Sequence, residues 1–178
     1  MLSYCGKNGR SERQSNVMGT VEIDPRVVIA LRDSFHDRSA HERLSAPDRD
    51  ALAALQARRD WIWNSGNHDP ALPSSLGGTV ASEVAIGGIV FRHEPTGRVG
   101  EIAGHLHPKA RVATRARWLE RRCFASDGER IVMPSFGAYT GGLSISDDVF
   151  SKIFPSISFM AHILGDAKLH TIAASRCR

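Results

Sequence analysis

The chain has 178 residues, 42% hydrophobic and 24% charged, proportions of a single globular domain rather than a disordered or fibrous chain. No apolar run approaches the roughly 20 residues that span a bilayer, and Met1 to Met18 lack an apolar stretch of the signal-peptide kind, so the expectation is a cytoplasmic protein without a membrane segment. The formal charge is +4, and all of that excess falls between Arg92 and Arg130, where nine basic residues face five acidic ones; such a surface suits a phosphate-bearing partner such as nucleic acid, the plainer alternative being a solvated arginine-rich face.

Arg26 to Leu31 is a short continuous apolar run, the pattern of a buried strand, and it ends in Arg32-Asp33-Ser34-Phe35-His36-Asp37. Ser45-Ala46-Pro47-Asp48 reads as a helix start with a serine cap and an acid three residues on, and the helix runs to about Arg59. Trp61-Ile62-Trp63 follows as a second buried strand, its indoles read as sheet core, ahead of a polar loop from Asn64 to Pro70. Strands are then expected over 79–83, 86–92 (broken at Gly87-Gly88), 99–103, 111–117 and 118–125, with Asp127-Gly128 as a two-residue hairpin signal before Ile131. A helix is expected near Asp147 to Phe154, then a weak apolar segment from Ile157 to Leu164. The pattern is that of a layered α/β fold with two stacked β-sheets flanked by helices.

Chemistry-bearing side chains recur where apolar strands end: Asp33, then Gly66-Asn67-His68-Asp69, then His93, then Gly104-His105-Leu106-His107. In open α/β sheets ligands bind beyond the carboxyl ends of strands. Carboxylate, imidazole and amide oxygen without thiolate suit manganese, iron(II), zinc or cobalt rather than a structural zinc. His105 and His107 are two apart, so on extended backbone both rings would project to one side, and Gly66 and Gly104 would permit the sharp turns. The three cysteines, Cys5, Cys123 and Cys177, are too scattered for a disulfide framework, and Cys123 reads as a small buried residue.

The order Asp, Gly-Asn-His-Asp, His, Gly-His-x-His resembles the calcineurin-like metallophosphoesterase superfamily. Phe91-Arg92-His93-Glu94-Pro95 and Pro134-Ser135-Phe136-Gly137-Ala138-Tyr139-Thr140-Gly141-Gly142 narrow the resemblance to the ligase-associated DNA-damage-response metallophosphoesterases, over about Arg26 to Leu164. The resemblance implies a hydrolase acting on phosphodiesters of DNA, with two divalent ions, manganese foremost, and an association with a DNA ligase and helicase repair system. It implies that Asp33 bridges the metals, that Asn67, His93 and His105 complete one site, and that His107 serves the other. His68 would be the catalytic histidine that assists the leaving group, oriented by Asp69.

The chain departs from that pattern at two points. The superfamily begins with Asp-x-His on its first strand, whereas Asp24 is the only aspartate before Asp33 and no histidine precedes His36; Arg32 also stands where the family has glycine. The expectation is an irregular segment over 1–20, then a metallophosphoesterase domain over 21–178 lacking the family's first strand and helix. A catalytically inactive homologue that keeps partial metal or nucleic-acid binding is the alternative.

Overall fold

The computed structural model describes residues 23–31, 44–64, 74–115, 117–135, 140–155, 158–165 and 168–178. They form a mixed α/β structure with one three-stranded and one eight-stranded sheet and few helices. Two compact units are present, one drawn from residues 1–84 with 136–140, the other from 85–135 with 141–178. No helix among the described residues is long and apolar enough to cross a membrane. The segment over 1–20, Arg32 and Asp33, and Asn67, His68 and Asp69 lie outside the described residues.

In the first unit, strands β1 (Val27–Leu31), β2 (Asp60–Asn64) and β3 (Thr79–Ala81) pair in parallel in that order. Helix α1 (Ala46–Gln56) connects the first two; the Ser45 side chain accepts from the Asp48 backbone N–H and Pro47 occupies the first turn, as the sequence predicts. Leu52 and Leu55 of α1 bury themselves with Ala30, Trp61, Trp63 and Leu76. Trp63 donates its indole N–H to the Gly77 carbonyl at 2.8 Å. Gly78, at φ +79, lies so close under both tryptophans that a Cβ would stand 2.8 Å from the Trp61 carbonyl, which excludes any side chain there. Thr79 to Glu83, expected as one strand, is instead interrupted at Ser82: β3 ends at Ala81, and β4 (Glu83–Ile86) joins the other sheet. Buried Asn64 fixes that corner by donating its amide to the carbonyls of Ala81 and Ser82.

The larger sheet also contains β5 (Ile89–Arg92), β6 (Glu101–Ala103), β7 (Lys109–Ala113), β8 (Trp118–Ser126), β9 (Arg130–Val132), β10 (Met160–Leu164) and β11 (Leu169–Ala173). Its order is β11-β10-β8-β9-β6-β5-β4, with β7 paired to β8 off that path. β5, β6 and β9 run parallel, and the remaining pairs through β8, β10 and β11 run antiparallel. Gly87 and Gly88 both take positive φ, as a tight two-residue hairpin connection demands. The hairpin at Asp127-Gly128 is wider than a two-residue turn: Ser126 pairs with Ile131, and Asp127 Oδ1 accepts from the backbone N–H groups of Glu129 and Arg130. β11, whose Leu-His-Thr-Ile alternation is the only signal in the sequence, was not expected.

Helix α2 (Asp148–Ile153), capped by the Asp147 side chain, lays Phe150 and Ile153 into a core with Cys123, Ala125, Val132, Ala161 and Ile163. Phe154 stacks on Phe159 at 4.5 Å between ring centroids. Cys123 is fully buried, and that burial first, with Cys177 second, pushes its thiol up to about 12 from an ordinary 9.0. The folded chain therefore keeps this proton where the unfolded chain releases it. The stability so contributed is complete below pH 9 and is lost as pH climbs to about 12. We expect the alkaline fall in Tm to be shallower for Cys123→Ala than for the wild type, read by circular dichroism between those limits; parallel curves would show that burial does not hold the proton.

Candidate metal centre

The carboxyl ends of β5, β6 and β9 meet at one edge because the three strands are parallel and in register, Arg92 beside Ala103 and Ala103 beside Val132. His93 follows β5 directly, Gly104 to His107 follow β6, and Met133 to Ser135 follow β9. Two backbone bonds tie the ends together: Gly104 N–H donates to the His93 carbonyl at 3.0 Å, and Met133 N–H to the Ala103 carbonyl at 2.7 Å. Ser135 lies at this edge with its hydroxyl buried and without a hydrogen-bond partner among the described residues.

Here His93 Nε2 and His105 Nδ1 stand 2.9 Å apart, their rings edge to face. The side chain of Glu94 joins them, so that one ligand atom from each of the three lies within 4.8 Å of the others. Two nitrogens at that separation either share one proton, as donor and acceptor set by tautomer, or face one cation. His93 is buried, whereas Glu94 and His105 are exposed, which leaves one side of the trio open to an incoming ligand. Neutral imidazoles and a carboxylate form a donor set that fits a divalent ion.

The sequence missed Glu94, although its place next to His93 at a strand end was visible. His107 is not one of the converging groups. His105 and His107 are not on extended backbone: they take φ +64 and +49, so one ring is exposed and the other buried rather than both projecting to one side. The left-handed turn thus falls on the histidines, not on Gly104. It is braced from behind, where Leu143 N–H donates to the Leu106 carbonyl at 3.0 Å and Lys109 N–H to the Leu143 carbonyl at 2.9 Å. Gly142 comes against the His107 carbonyl so closely that no Cβ fits between them. The Gly141-Gly142 pair is therefore a tight connection under the turn.

The turn after β5 is held from inside. Glu101, 2% exposed, accepts from Thr96 N–H, Thr96 Oγ1 and Gly97 N–H at 2.6–3.0 Å and pairs with Arg92 at 3.2 Å. Buried Arg130 grips the same turn from its other end, donating to the Gly97 carbonyl at 2.6 Å and pairing with Asp127 at 3.1 Å. The two cations that bound the basic stretch are thus consumed within the protein and are not part of a phosphate-binding surface.

No family model matches the chain. The chain is 27% identical over 148 residues to a cysteine desulfurase of Frankia sp. (strain EuIK1), an alignment that takes in 80% of this chain and 34% of that relative. The chain thus spans about a third of the length of the curated relative it matches, and that relative's activity belongs to the whole protein. Among solved structures, the crystal structure of the Pseudomonas putida nuclease MPE matches with a TM-score of 0.65 at 24% identity, over 94% of this chain and 82% of the other. That likeness establishes the fold.

Glu101→Gln keeps the shape but leaves Arg92 beside a neutral amide. It should lower stability by about 2 kcal/mol or more by urea denaturation, and a loss within 0.5 kcal/mol would mean that the carboxylate charge contributes little. Gly142→Ala should lower stability by about 1–3 kcal/mol, because the His107 turn has to move; an unchanged Tm would show that the turn yields freely.

Proposed function

We propose that this chain hydrolyses phosphodiester bonds of nucleic acid with a divalent ion, manganese first among the candidates, in the manner of the metallophosphoesterases that its sequence resembles. The observation that carries the reading is the convergence of His93 Nε2 and His105 Nδ1, 2.9 Å apart, with Glu94 beside them, at the carboxyl ends of parallel strands. The nuclease fold neighbour and the exposed cations on β7 and β8 support the choice of nucleic acid.

A divalent ion bound there supplies Lewis acidity and a water acidic enough to act as hydroxide near neutral pH. His93 and His105 would hold it, with Glu94 as a third donor and with Asp33 and Asn67 as the further ligands that the resemblance implies; His107 would serve a second ion that Asp33 bridges. Gly104 holds the backbone of buried His93, while exposed His105 would lie on the side from which a phosphate approaches. His68 would hold the proton that the departing oxygen takes up, oriented by Asp69. A cytoplasmic role in DNA repair beside a ligase and a helicase belongs to the same proposal.

A second reading is favoured by one observation. Asp24, the only aspartate before Asp33, pairs with Arg59 at 2.6 Å and is followed by Pro25-Arg26, so it does not form the Asp-x-His pair of the resembled superfamily. On that reading the chain is a metallophosphoesterase homologue that binds metal or nucleic acid without turnover.

Two measurements decide between the readings: manganese per chain by elemental analysis, and hydrolysis of bis(4-nitrophenyl) phosphate and single-stranded DNA before and after chelation. Manganese-dependent hydrolysis that falls by at least about 100-fold in His105→Ala, together with loss of bound metal, is the expected result. Metal binding without hydrolysis would favour the second reading, and no metal binding would defeat the first.

A further inference from the structure

We infer that the outer face of the β7–β8 ribbon is a docking strip for single-stranded nucleic acid, on which a base stacks against Trp118 while phosphates take the guanidiniums of Arg111 and Arg178. The choice of polymer rests on the proposed function, whereas the strip itself rests on the register of the ribbon. Antiparallel pairing sets Ala113 opposite Trp118, Arg111 opposite Glu120 and Lys109 opposite Arg122, so these six residues share one face. The other face carries Ala110 and Cys123 into the core.

Trp118 is 43% exposed, whereas Trp61 and Trp63 are 5% and 1% exposed. Its indole is dressed with cations: the guanidinium carbons of Arg111 and Arg178 lie 5.4 and 5.2 Å from the ring centroid. Arg178 is brought there by two backbone bonds with Arg111, at 2.9 and 3.2 Å. Glu120, the one acid on this face, is engaged by Lys109 at 3.7 Å. Arg115 and Arg117 stand exposed at the ribbon's tip. Among the described residues no carboxylate pairs with Arg111, Arg115, Arg117 or Arg178.

Uncompensated guanidiniums call for anions, and an exposed indole among them calls for a flat aromatic partner. A single strand offers both groups at once. A duplex offers phosphates but keeps its base faces stacked inside, and an anionic membrane offers charge with no planar ring.

The test uses the intact chain stripped of metal with EDTA, so that binding is read without cleavage. The probe is an oligothymidylate of about 12 nucleotides, within the site sizes of single-strand-binding folds and longer than the ribbon itself. Trp118 is the exposed indole, so its emission should be quenched on binding, and Trp118→Phe should abolish the signal while keeping most of the affinity by anisotropy of a labelled oligonucleotide. Trp118→Ala should weaken binding by roughly ten-fold or more. Arg111→Ala combined with Arg178→Ala should reduce the slope of log affinity against log salt by about 1.4, the share of two phosphate contacts on a single strand. Wild-type affinity in both the Trp118→Ala and the double-arginine variants would overturn the proposal. Equal binding of a duplex of the same length would do so too, as would an emission change seen with phosphatidylglycerol vesicles and not with the oligonucleotide. Quenching in a chain that hydrolyses nothing would leave the strip standing and defeat the proposed activity; hydrolysis with Trp118 undisturbed would do the reverse.

Discussion

A buried carboxylate governs the geometry of the candidate centre. Removing Glu101 from water is unfavourable by several kcal/mol unless its oxygens are fully engaged, and here they receive two backbone N–H groups, a hydroxyl and a guanidinium. Every one of those donors lies between Arg92 and Gly97, so satisfying the charge and shaping the turn after β5 are one event. Arg130 completes the arrangement with the opposite sign, taking the Gly97 carbonyl and the Ile153 carbonyl at the end of α2. His93 sits within a segment held at both ends by buried charges.

The second histidine is positioned by a different device. β6 is only three residues long, so the chain leaves the sheet at Gly104 and must turn at once to bring His105 back over His93. Two left-handed histidines within three residues accomplish this, each in a region that L residues adopt at some energetic cost. The brace from Gly142 to Ile145 supplies the compensation, running beside Leu106 to Lys109 with three backbone bonds. Gly142 to Ile145 is in physical terms the support of this turn.

Much of this could be read from the sequence where local rules coincide with the fold. The Ser45 cap, the apolar runs that became β1 and β2, the buried tryptophans and the position, though not the width, of the β8–β9 hairpin all follow from residue preferences that tertiary context does not overturn. The histidines at strand ends were legible for the same reason, since polar residues terminating apolar strands stand out. What could not be read depends on contacts between distant residues. Nothing local announces that His105 and His107 adopt positive φ, that Ser82 splits one apparent strand between two sheets, or that Arg92 and Arg130 turn inward. Those outcomes are decided by Gly142, by Asn64 and by Glu101 and Asp127, each remote in sequence or in a different element. The basic stretch counted as nine cations in the sequence therefore overstates what the surface offers.

The surviving cations matter because of how β8 is built. At nine residues it is the longest strand among the described residues, and its two halves do different work. Residues from Cys123 onward pair with β10 and β9 and carry the core through Cys123 and Ala125, while Trp118 to Arg122 pair with β7. The same strand that is locked into the core of this unit thus extends outward as one edge of the ribbon. Strand alternation then sorts its side chains: Cys123 and Ala125 face the core, while Trp118 and Glu120 face out. Such a ribbon inherits rigidity from the core at one end and is free of core duties on its outer face. Its surface residues can be exchanged with little effect on stability, and the spacing of indole and guanidiniums is set by the ladder rather than by a mobile loop. A recognition surface held in this way loses little conformational entropy when a ligand settles on it.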